Sequence, residues 1–116
     1  KVMKLWHFSG HGDAKKGLLF GEQWINWEQF NQLLTPYDEL EVMFIAACSS
    51  IKVADAVSGK FKYVLACAID VPDTDATTAT ETFWKNIVRG KSAEEAFEAT
   101  KLVVPQFAPN LRLRGL

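Results

Sequence analysis

Cysteine is scarce in this chain, with two in 116 residues, and that excludes a fold stapled by several disulfides. Both thiols, Cys48 and Cys67, sit at or within apolar runs. A thiol there is ordinarily buried and reduced, so a cytoplasmic location is the default expectation. No block of basic residues occurs, and 13 Lys and Arg against 14 Asp and Glu leave a net charge of -1. Direct nucleic-acid binding is not expected, because a sequence-independent grip on a phosphate backbone needs clustered cations. Apolar runs are short too, none approaching the roughly 18 to 20 residues that span a bilayer, so no membrane partner is expected. The chain opens Lys1-Val2-Met3-Lys4-Leu5, without an initiator Met or the basic, apolar and small-residue regions of a signal peptide, as an excised domain or a processed piece would.

What is present suits one α/β domain over residues 1–116. At 48% hydrophobic and 23% charged, the chain can bury a modest single core. Val2 to Ser9 has a strand's length and stops at Gly10-His11-Gly12; Leu18-Leu19-Phe20, between Gly17 and Gly21, is a short strand or a hairpin arm. Asn26 is a good N-cap with Gln29 as its capping partner, Ile25 and Phe30 occupy staple positions, and the apolar stripe that follows ends at Thr35-Pro36. Val42 to Ala47 and Tyr63 to Ile69 are continuously apolar, as strands covered on both faces of a parallel sheet are. Between them Ser49 or Ser50 can cap a short helix closing at Gly59. Ala76, Ala79, Phe83 and Ile87 mark a helix ending at Gly90, and Ser92-Ala93-Glu94-Glu95 is a capping box opening another, which Pro105 terminates. The tail alternates Leu111, Arg112, Leu113, Arg114, as an edge strand or a frayed end would.

Apolar strands separated by helices imply an α/β sandwich with a mainly parallel sheet, whose ligands bind at the carboxyl ends of the strands. Three such ends carry chemistry: Ser9-Gly10-His11-Gly12, Cys48-Ser49-Ser50, and Asp70 followed by Asp73 and Asp75. A cysteine where a strand meets a helix is a plausible nucleophile, because helix N-terminal amides stabilise its thiolate. A histidine at a neighbouring strand end can take the thiol proton and later protonate a leaving amine. That pair is His11 and Cys48. The flanking glycines permit tight turns and close approach, and the amides of Gly12 and Cys48 are positioned in sequence to face a developing oxyanion.

His7-Phe8-Ser9-Gly10-His11-Gly12, then an apolar strand running into Ala46-Ala47-Cys48-Ser49-Ser50, resembles the His-Gly and Ala-Cys motifs of caspase-fold cysteine peptidases. The match is closest to the CHAT branch, relatives of separase. It extends through the strand into Asp70, through Asp75-Ala76 and Phe83-Trp84, and through Gly90-Lys91-Ser92-Ala93-Glu94-Glu95-Ala96, covering about Leu5 to Thr100. The resemblance implies a three-layer, caspase-like sandwich with helices on both faces of the sheet, His11 as base, Cys48 as nucleophile, and Gly12 in the oxyanion hole. It implies no metal or organic cofactor, a protein substrate, and a regulatory domain or complex as partner. CHAT domains usually carry a further strand and helices before the His segment, so it also implies a missing N-terminal portion. The caspase-proper signature has Gln two places before the Cys and Gly two places after. Ala46 and Ser50 stand there, and His11 and Cys48 are only 37 positions apart (48 − 11), which favours the looser CHAT pattern.

Asp70, Asp73 and Asp75 border the expected nucleophile, so a basic side chain before the scissile bond is favoured electrostatically; as turn and cap residues they also have an ordinary structural role. Cys67 reads as a core thiol, and His7 as a packed or surface residue or as an aid to His11. His7, His11 and Cys48 lack a fourth zinc ligand, and three aspartates supply too few oxygens for calcium. Ser9 lacks the glycine two places before it that a hydrolase elbow requires. Trp6, Trp24, Trp27 and Trp84 read as core or as surface covered by absent sequence. The alternative to a peptidase is a catalytically inactive caspase-fold module that binds protein partners.

Overall fold

The computed structural model describes residues 4–34, 40–47, 49–57, 61–68 and 70–115. Residues 1–3, the Thr35-Pro36 helix stop, Cys48, Gly59 and Ile69 lie outside them. The chain runs β1 (Leu5–Ser9), β2 (Gly12–Asp13), β3 (Gly17–Phe20), β4 (Gln23–Ile25) and α1 (Trp27–Leu33). It continues with β5 (Leu40–Ala46), α2 (Ile51–Val57), β6 (Phe61–Cys67), α3 (Asp73–Val88) and α4 (Ala93–Val103). A 3-10 turn (Ala108–Asn110) and β7 (Leu111–Gly115) complete it.

β1, β5, β6 and β7 form one sheet in that order, parallel from β1 to β6 and antiparallel at β7. The tail is therefore an edge strand. Its alternation is used on both faces: Leu111 and Leu113 join the apolar core, while Arg114 meets Asp55 of α2 at 2.6 Å. The Gly17 to Phe20 run is the middle of a separate three-stranded antiparallel sheet with β2 and β4, an element with no strong local signal at Gln23–Ile25.

The continuous apolar runs of β5 and β6 supply two cores by alternation. Met43, Ile45, Val64 and Ala66 pack with Phe8, Leu18, Phe30 of α1 and Val53 of α2. Val42, Phe44, Leu65 and Cys67 pack with Ala79, Phe83 and Ile87 of α3 and Ala96 of α4. A strand with one solvated face would alternate with polar residues; these are greasy throughout because both faces are covered. Phe44 and Phe83 meet edge to face, ring centres 5.4 Å apart. The result is a compact α/β domain with a mixed, mostly parallel sheet, and its radius of gyration of 13.2 Å matches the ~13 Å of a folded domain of about 100 residues.

Both expected capping boxes form. Asn26 accepts from the Gln29 amide at 2.8 Å while the Gln29 side chain accepts from the Asn26 amide at 3.0 Å, and Ser92 and Glu95 do the same at 3.1 Å each. Ser50 stands directly before α2, and its carbonyl accepts from the Ala54 amide at 3.0 Å. Its hydroxyl donates to the Ile45 carbonyl and accepts from the Cys67 amide, both at 3.3 Å, and that of Ser49 donates to Asp70, so both hydroxyls tie strand ends together.

Candidate active site

Three parallel neighbours, β1, β5 and β6, end at the same edge of the sheet, at Ser9, Ala46 and Cys67. All three residues line a single cleft of about 620 Å³, roofed by the first turns of α3. This is where open parallel sheets place ligands. His11 lines the cleft, as do Ala46 and Ala47, the residues that lead into Cys48. Cys48 itself lies outside the described residues.

The His11 segment is held from two directions. The Gly10 amide extends the β1–β5 ladder by donating to the Ala46 carbonyl at 3.3 Å, and the His11 carbonyl accepts from the Leu19 amide of β3 at 2.9 Å. An exposed imidazole is thus carried on a fixed backbone. The glycines beside it work differently from the expectation of a tight turn: positive φ among the described glycines falls at Gly17, Gly21 and Gly90. Gly10 lies close to Phe8, and a Cβ there would sit 3.1 Å from the Phe8 ring, a tight contact that the ring would have to relieve. Gly12 pairs with Leu18 one step beyond the Leu19 to His11 hydrogen bond. That makes the pair a non-hydrogen-bonded one and turns the Gly12 amide away from β3. Gly12 lies just beyond the cleft lining.

On the other flank of Cys48, Ser49 has φ of 52°, a left-handed conformation that costs a non-glycine residue about 1 kcal/mol. Its hydroxyl donates to Asp70 Oδ1 at 3.3 Å, which ties the connection after β5 to the one after β6. Asp70 is therefore a partner of the strand-to-helix turn and not part of the cleft wall. Asp73 and Asp75 do line the cleft, and both lie in the first turn of α3, where carboxylates complement the helix dipole. Asp75 also accepts from Gln106 Nε2 at 3.1 Å.

Cys67 is buried at 7% exposure and ends β6 rather than sitting in mid-strand, so its thiol belongs both to the core and to the cleft floor. His7 faces α3 instead of His11: Trp84 Nε1 donates to its Nδ1 at 2.9 Å, its ring stands edge-on to Phe44 at 5.4 Å, and partial burial lowers its pKa. Trp6 packs edge-on against Phe30 at 5.5 Å.

Sequence reasoning missed several lining residues. Thr77, Thr80 and Glu81 of α3 follow Asp73 at four, seven and eight positions, so helical periodicity contained the signal. Val104, Phe107 and Leu111 reach the cleft from the far end of the chain, and nothing local announced them. Among the described residues no cluster of His, Cys, Asp and Glu could hold a metal ion, and no helix is long and apolar enough to cross a membrane. No family model matches the chain, and no curated protein matches it.

Proposed function

We propose that the chain is a caspase-fold cysteine endopeptidase domain of the CHAT type, a three-layer sandwich that works through His11 and Cys48. The observation that carries this reading is the parallel pairing of β1 with β5, whose ends bring His11 and the Ala47 that precedes Cys48 into one cleft. The left-handed Ser49 next to Cys48 adds support, because backbone strain of this kind is concentrated at functional turns.

In this mechanism His11 takes the Cys48 thiol proton, and the thiolate attacks the scissile carbonyl. Amides of Gly12 and Cys48 bind the oxyanion. Collapse expels the amine, which receives the proton from His11, and leaves a thioester on Cys48. Water, deprotonated by His11, then attacks the thioester and releases the acid and the thiol. No metal or organic cofactor takes part. The partners are a protein substrate and a regulatory domain or complex, and the domain acts in the cytoplasm. Asp73 and Asp75 on the cleft wall, with Asp70 nearby, favour a basic side chain before the scissile bond.

Labelling with a thiol-directed peptidyl electrophile tests the dyad. Wild type is expected to label at Cys48, Cys48→Ala not at all, and His11→Ala at least a hundredfold more slowly. Equal labelling of Cys48→Ala would assign the reaction to Cys67 and end the proposal. A wild-type rate no higher than that of a simple thiol would leave the inactive, partner-binding module as the reading. Arg- and Lys-containing peptides should be cut faster than Asp-containing ones, and equal rates would remove the basic preference.

A further inference from the structure

Away from His11 the cleft continues into an apolar slot. Its lining is Val71 just before α3, Ala76 and Ala79 in the first turns of α3, Val104 and Phe107 from the connection between α4 and β7, and Leu111 at the start of β7. That connection is held in place before anything binds. Gln106 Nε2 donates to Asp75 Oδ1 at 3.1 Å, the Ala68 amide at the end of β6 donates to the Asn110 carbonyl at 2.8 Å, and the Phe107 amide donates to the Val104 carbonyl at 2.9 Å. Pro105 and Pro109 remove backbone freedom on either side of Phe107.

The whole cleft, from the His11 end to Leu111, measures about 620 Å³, in the size range of ligand sites. The apolar stripe of α3 is filled by Phe83 and Ile87 along the sheet and narrows to Ala79 and Ala76 beside the cleft. Ala79, Val104 and Leu111 are themselves packed into the core at 5%, 1% and 7% exposure, and Val71, Ala76 and Phe107 are the half-buried side chains that line the opening. At the mouth stand Asp73 and Glu81, both exposed. Apolar walls with an acidic rim complement a peptide that carries a bulky apolar residue close to a basic one.

We propose that the slot is a specificity subsite that takes one leucine or phenylalanine side chain of the peptide to be cut, with Phe107 setting the preference. The proposal rests on the peptidase reading of the same cleft, and it names the substrate class: segments pairing a bulky apolar residue with a basic neighbour.

Two measurements test it. In the first, tri-alanyl acyloxymethyl ketones with leucine moved through each position are compared for their rate of labelling Cys48. Leucine at one position is expected to raise the rate at least about tenfold over alanine. Phe107→Ala should reduce that advantage, and Ala79→Leu, which narrows the slot, should abolish it. The second is independent of catalysis. In Cys48→Ala protein, N-acetyl-leucinamide should shift the methyl resonances of Val104 and Leu111 saturably, N-acetyl-alaninamide should not, and Ala79→Leu should remove the effect. Leucine that gives no advantage at any position, or methyl shifts that survive Ala79→Leu, would overturn the subsite. Failure of all probes to label Cys48 while the methyl shifts persist would instead overturn the peptidase reading and leave an apolar side-chain site.

Discussion

Ser50 illustrates how much one hydroxyl can organise. At 1% exposure it bridges the Ile45 carbonyl of β5 and the Cys67 amide of β6, and its own amide donates to the Cys67 carbonyl at 2.9 Å. Ser50→Ala keeps the backbone bond and removes both buried hydroxyl bonds, so stability should fall by about 1–2 kcal/mol. The urea midpoint should drop with an unchanged slope. His7 supplies a pH-dependent contribution. The Trp84 indole can donate to Nδ1 only while that nitrogen keeps its lone pair, and burial lowers the His7 pKa below its ordinary 6.5. The unfolded chain therefore binds the proton more readily than the folded one. The stability from neutral His7 is fully present above about pH 6.5 and is lost as pH falls through the lower, folded value. Thermal midpoints measured between pH 5 and pH 7.5 should rise more steeply for the wild type than for His7→Gln. Equal slopes would assign the pH dependence elsewhere.

At the scale of elements, the helix starts were legible because capping is local chemistry: Asn26 with Gln29, and Ser92 with Glu95, each need only a three-residue spacing. β4 was not legible, since Gln23-Trp24-Ile25 becomes a strand only through its pairing with β3. Gly17 shows the constraint that pairing imposes. Its φ is +99°, and a Cβ would overlap the Ile25 carbonyl and lie 2.7 Å from the Asn26 Cα. Gly17→Ala should cost more than about 2 kcal/mol, from the left-handed backbone together with the clash. It should raise amide exchange first in β3 and β4, with β5 and β6 affected less.

Across the whole molecule, β5 and β6 contribute alternate side chains to cores on opposite faces of one sheet, so neither core can be lost alone. Phe30 and Phe83, at 1% and 0% exposure, anchor the two sides. Replacing either with Ala should cost about 3–5 kcal/mol, and unfolding should remain one cooperative transition, coincident by far-ultraviolet and near-ultraviolet circular dichroism. Two separated transitions in Phe83→Ala would mean that the faces fold independently. The same sheet explains the legibility of the cleft. That ligand chemistry gathers at strand ends follows from parallel strands, and parallel strands follow from apolar runs joined by helices, so the placement of His11, Asp73 and Asp75 along one cleft was legible in the sequence. Asp70 was placed with them by proximity in sequence, yet its carboxylate serves Ser49.

The sequence by itself determined what depends on neighbours along the chain: the class of the domain, the strand runs, the capped helices, and the candidate residues His11 and Cys48 at strand ends. Tertiary structure decided what depends on contacts between distant segments. It made the tail an antiparallel edge strand, turned His7 toward Trp84, placed Cys67 at the cleft floor, and brought Phe107 to the cleft wall. The physical reason is that periodicity and capping encode which side of an element is apolar and where it begins, whereas the partner across the gap is chosen by the packing of the whole sheet.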